Sequence, residues 1–118
     1  MTSRAFAAVF LGFTSGVLHA APPADCGSVS TRYFSWAALK VYPPQPTNPE
    51  SEAWAKEQEN NGASHYIAEY CKDGRIISLT KRLNKTTFFR YDYSYDGKRL
   101  VELRLTDESG NTKIITSK

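Results

Sequence analysis

The chain has 118 residues, of which 23% are charged, 41% hydrophobic and 13% aromatic, with two cysteines and a formal net charge of +3. That length accommodates one domain, and the aromatic content excludes a disordered chain. So small a net charge gives no strong attraction to nucleic acid, so none is expected as a partner.

Arg4 is the sole charge in the first twenty residues; a mostly apolar run over 5–18 follows it, and then the small residues Ala20 and Ala21. This is the pattern of a secretory signal peptide cleaved after Ala20. The expected organisation is a signal over 1–20 and a single small exported domain over 21–118, periplasmic or secreted. Without Arg4, fourteen cations face twelve carboxylates. No apolar run of about 20 residues remains beyond the signal, so the exported part is not expected to span a membrane. Export would place Cys26 and Cys71 in an oxidising compartment, where two thiols without a third are expected to pair. Closing the loop of roughly 45 residues between them stabilises by about 4 kcal/mol on the chain-entropy model.

Residues 31–42 carry Tyr33, Phe34, Trp36, Leu39 and Val41 and read as a strand. Pro43, Pro44 and Pro46 are expected to stop any regular ladder. Asn48 then reads as a helix cap with Pro49 at the first helical position, and a helix over 49–60 ends at Gly62. Its apolar face is thin, essentially Ala53, Trp54 and Ala55, so the helix lies on the surface and is held mainly by Trp54.

From Ser64 onward the hydrophobic period is two, and turn residues recur at Asp73-Gly74, Asn84-Lys85, Asp96-Gly97 and 108–111. The strand over 86–95 places Phe89, Tyr91, Tyr93 and Tyr95 on one face and Phe88, Arg90, Asp92 and Ser94 on the other. In the next strand Val101, Leu103 and Leu105 alternate with Glu102 and Arg104. The C-terminal half reads as a five-strand meander, and the fold class as α+β: a twisted antiparallel sheet of about five or six strands with one surface helix.

Two segments share a recipe: Tyr70 to Ile76 and Tyr93 to Leu100 each run from an aromatic strand end through Asp-Gly to a basic residue and an aliphatic strand start. With the later glycine-asparagine turn at Gly110-Asn111, the second resembles a unit of the YD repeat of the bacterial RHS family. Cys71 stands where that family has aspartate, and Gly97 follows Asp96 one step early. The resemblance covers about 50 residues, within 66–116. It implies β-hairpins in a bacterial envelope setting, and repeats of this kind have been linked to carbohydrate binding.

For chemistry, His65 is the sole histidine beyond the signal and lies mid-strand, away from any nucleophile pattern. No spacing of metal ligands and no glycine-rich phosphate loop is present, so neither metal nor cofactor is expected. The residue set that rises above background is Arg90, Tyr91, Tyr93 and Tyr95, with Trp54 elsewhere, and these are the candidate binding residues. Such tyrosines can anchor a protein partner or stack on sugar rings; the competing reading is that the row builds the core. The expected function is a non-catalytic exported protein that binds another protein, such as an immunity or inhibitor protein. The alternatives are a glycan or cell-wall binding module using an aromatic sheet face, and a small hydrolase built on carboxylates such as Glu57 and Glu59.

Overall fold

The computed structural model describes residues 22–116; the expected export signal over 1–20 lies outside the described residues. Seven strands and one helix follow in chain order: β1 (Ser30–Ala38), β2 (Gln45–Glu50), α1 (Glu52–Asn61), β3 (His65–Tyr70), β4 (Ile76–Leu83), β5 (Thr86–Asp96), β6 (Arg99–Asp107) and β7 (Thr112–Ile115). All strands belong to one open antiparallel sheet of order β2-β1-β3-β4-β5-β6-β7, mainly β with one helix. The meander of β3 to β7 is present as its alternating pattern and turns require.

Four expectations are corrected. The sheet has seven strands rather than five or six. The added one is β2, which runs through Pro46 and Pro49 where the prolines were expected to end pairing. Pro46 lies opposite Ala37 and Pro49 opposite Phe34, on the outermost strand of the sheet, the position where proline is tolerated. Asn48 is therefore not a cap: it holds a φ of 62° within the strand. The helix begins later, with Ser51 as N-cap, extended at ψ 161°, its hydroxyl accepting from the Trp54 N–H at 3.0 Å. Ser51 and Asn48 are both good caps by type; the open edge of β1 decides between them by drawing 45–50 into the sheet. Finally, β1 ends at Ala38, not at 42, and the segment after it folds back so that Leu39 packs on the core and Pro44 is buried.

The turns are chemically explicit. Asn84 and Lys85 carry φ of 53° and 66° between Leu83 and Thr86, the two-residue loop with both centres left-handed that matches strand twist. Gly62 closes α1 at φ 71°, and the Asn84 N–H donates to its carbonyl at 3.0 Å, so the helix end rests on the β4–β5 hairpin.

Alternation gives each strand two faces. On one, Phe34, Tyr66, Ala68, Leu79, Tyr91, Tyr93 and Leu103 form the core, joined by Leu105 and Ile115 at its margin. Cys26 and Cys71 bond at a sequence separation of 45 and pack with Ile77 and Tyr95, tying the N-terminal arm to the end of β3 as expected. Arg75 reinforces that tie: its guanidinium donates to the Asp25 carboxylate at 2.9 Å, to Asp73 at 3.0 Å and to the Gly97 carbonyl at 2.7 Å. Lys98 reaches the same Asp73 at 2.6 Å. These two cations and the Arg75 N–H hold the Asp73 carboxyl well below the usual carboxylate range.

The ladder slips at three places. Glu69 and Tyr70 face Ser78 and Ile76, leaving Ile77 as an extra residue. Lys81 and Arg82 face Phe89 and Thr87, which makes Phe88 the extra residue of a bulge. Val101 is the third.

Candidate functional site

The second face of the sheet is polar. In register across four strands stand Glu69, Ser78, Asp92 and Arg104, and beside them Ile67, Thr80, Arg90 and Thr106. Their side chains follow the outward parity of each strand, so no hydrophobic layer covers them. They bury one another instead: Ser78, Thr80, Asp92 and Thr106 are all buried. The Ser78 hydroxyl donates to Glu69 at 2.7 Å, the Arg90 Nε donates to Asp92 at 3.0 Å, and the Arg90 Nη2 stands 3.6 Å from Glu69. Asp92, only 4% exposed, thus keeps a charged donor, as a buried carboxylate requires.

Helix α1 packs over the β1 and β3 end of this face. Ala55 is buried beneath it, and the Trp54 ring meets His65 edge-on at 6.2 Å. Glu59, near the helix end, accepts from Arg82 at 2.6 and 3.2 Å. The Arg82 guanidinium also donates to the Lys85 carbonyl at 2.8 Å and to Thr87 at 3.1 Å, so one cation fixes helix, strand and hairpin together. Hydrogen bonding to Arg82, ahead of an opposing desolvation, lowers the Glu59 carboxyl from its ordinary value; in return Glu59 raises Arg82. His65 is buried with Nδ1 3.3 Å from the Ala63 carbonyl and Nε2 3.7 Å from Glu59.

Between helix and sheet this leaves a groove of about 460 Å³, with Ile67 and Thr80 among its lining, Glu69 and Arg90 at one side, and Glu52, Lys56 and Glu59 on the helix side. It holds charges of both signs at fixed positions, most of them already paired. Chemically it can receive polar groups through hydrogen bonds and ion pairs. Among the described residues no group of three or more histidine, cysteine or carboxylate side chains is placed to hold a metal.

The expected binding residues divide between the two faces. Arg90 lines the groove, and Trp54 lies half-buried on α1 against His65. Tyr91, Tyr93 and Tyr95 are on the other side of the sheet, so the tyrosine row and Arg90 do not form one surface. Tyr93 is 2% exposed, its hydroxyl donating to the Pro44 carbonyl at 2.8 Å, and burial pushes its phenol well above the ordinary range. Tyr91 is buried as well, and burial raises its phenol too. Tyr95 is half-buried, donates to the Ile76 carbonyl at 2.7 Å, and carries the Arg75 guanidinium 5.5 Å over its ring. Of the two readings of the row, Tyr93 fits the one in which it builds the core, since the segment after β1 covers it. Glu59, of the carboxylates considered for hydrolysis, is engaged by Arg82, while Glu57 is exposed on α1.

Sequence reasoning did not single out Glu69, Ser78, Arg82 or Asp92 as site residues, and it raised Glu59 only as a hydrolytic carboxylate. A signal was available, since Glu69, Ser78, Arg82 and Asp92 all occupy the outward parity of the meander strands. Phe88 was expected beside Arg90; the bulge instead brings its ring to Phe89 at 5.9 Å and beneath the Lys81 ammonium. Comparison with protein-family models, with curated proteins and with solved structures finds no match for this chain.

Proposed function

We propose that this chain is an exported, non-catalytic protein that binds another protein, of the immunity or inhibitor kind, through the groove between α1 and the polar sheet face. One observation carries the reading: Arg90 and Glu69 reach the groove from an ion-paired layer that holds them in place, opposite the charged helix residues Glu52 and Lys56. Charges fixed before contact lose little side-chain freedom on binding, and a mixed-sign pattern selects one partner and register over others. The Cys26–Cys71 disulfide is compatible with an exported protein. No helix among the described residues is long and apolar enough to cross a membrane.

The test is capture of the partner from the native envelope fraction by the tagged protein, identification by mass spectrometry, and reconstitution of the pair from purified components. Lys56 and Glu52 lie 3.7 Å apart, both largely exposed, so Lys56→Glu reverses a groove charge without disturbing a buried contact. It is expected to weaken the reconstituted complex about tenfold. Equal affinity of wild type and Lys56→Glu would remove the groove as the contact surface; recovery of glycan with no protein would favour the carbohydrate-binding alternative.

A further inference from the structure

The bulge at Phe88 creates a second pocket, on the face opposite the groove. Its floor is Phe88, Phe89, Tyr91 and Leu105, and its lip is Asp107 and Glu108 at the β6–β7 turn; the volume is about 440 Å³. The aromatic rings are set at angles to one another: Phe88 and Phe89 at 49°, Phe89 and Tyr91 at 76°, with centroids 5.9 and 5.6 Å apart. Phe88 is 37% exposed, so ring area remains open to solvent. Asp107 uses one carboxylate oxygen to accept the N–H groups of Ser109 and Asn111, at 2.9 and 3.0 Å, which fixes the lip. Glu108 is exposed and has no ion-pair partner among the described residues.

An apolar floor with a carboxylate lip is complementary to a group that is apolar along its length and positive at its end. One of these rings, Phe88, already takes such a group from within the chain. The Lys81 ammonium lies 5.6 Å from the centroids of both Tyr66 and Phe88, with no carboxylate partner among the described residues. Lys81 is outside the pocket lining, as is Lys113, which stands opposite Leu105 on β7. We propose that this pocket is a binding site for a lysine or arginine side chain of a partner protein, the stem on Phe88, Phe89 and Leu105 and the charged head at Asp107 and Glu108. The site is separate from the groove, and its occupancy does not depend on the groove being a contact surface.

The experiment is a titration of the 15N-labelled, disulfide-intact protein with the tripeptide Gly-Lys-Gly, capped at both ends, against the same tripeptide carrying norleucine, which keeps the stem and lacks the charge. The lysine peptide is expected to shift the backbone resonances of Phe88, Leu105 and Glu108, and to bind more tightly than the norleucine peptide. Glu108→Gln, a surface change that leaves the aromatic floor intact, is expected to weaken lysine-peptide binding about threefold, and Phe88→Ala about two- to fivefold. Lys113→Gln, removing the neighbouring cation, is expected to tighten it about twofold. Equal binding of the two tripeptides overturns the proposal, as does an unchanged affinity in Glu108→Gln or the absence of any shift at these resonances. A wild-type response to the lysine peptide in Lys56→Glu would show the two sites to be independent.

Discussion

The two faces of the sheet are built from alternate residues of the same strands, yet they are held by different forces. On β4, Leu79 is wholly buried in the aromatic core while its neighbours Ser78 and Thr80 are buried among polar partners. The core face gains from apolar area removed from water, under the cover of Leu39, Pro44 and the Cys26 arm. The polar face is organised by Arg90 with Asp92 and Glu69, and by Arg82 with Glu59. Dispersion and desolvation tolerate no cavity on the first face, whereas the second depends on a few directional bonds, each of which matters only while both partners are present. The consequence for function is that rigid charged groups are left facing solvent on one side, with an aromatic pocket on the other where the bulge interrupts the cover.

The sharpest contrast lies between adjacent residues. Leu79→Ala should destabilise by about 3 kcal/mol, read from the midpoint of chemical denaturation, because the sheet around a wholly buried leucine cannot collapse into the space left. Thr80→Ala, one residue on, should cost about 1 kcal/mol or less. Equal losses would mean that the polar face is packed as a second core, and the comparison would fail. Next in size is Asp92→Asn, which removes the charged acceptor of Arg90 and leaves the guanidinium half-buried with Glu69 at 3.6 Å. The expected loss is about 2 kcal/mol, and it should largely vanish when Arg90→Met is made in the same chain. Persistence of the full loss in the double variant would show that Asp92 acts through something other than this pair.

The smallest expected effect is on the acid limb of the stability curve. Arg82 holds the Glu59 carboxyl below its ordinary value near 4.5. Its contribution is therefore fully present above that pH, where the unfolded chain's carboxyl is ionised. It declines below 4.5 and is lost as the pH falls through the lower folded value. Arg82→Ala should flatten the stability profile in that acid interval and leave its shape at higher pH as in the wild type. An unchanged slope below 4.5 would mean that the ion pair does not bias folding.

Much of this was legible in the chain. Two-residue periodicity from Ser64 on gives the meander, with tight turns at Asn84-Lys85 and just after Asp96, and it assigns Tyr91, Tyr93, Leu103 and Leu105 to a face other than that of Arg90 and Asp92. The cysteine pair follows from there being two. These features are local: a strand's alternation and a turn's φ requirement are set by neighbours in sequence. The candidate site was less legible, because Glu59 and Arg82 lie 23 residues apart and meet only when α1 is laid across the face. What the tertiary structure alone decided concerns edges, slips and cover. Residues 45–50 become a strand because β1 presents an open edge, against the local preference of its prolines and of Asn48. Phe88 changes face because one residue more is needed on β5 than on β4. Tyr93 rather than Phe88 is shut away because the segment after β1 reaches one and not the other. Each is a competition between distant segments for the same backbone bonds or the same apolar area, and a local pattern carries no information about which distant segment wins.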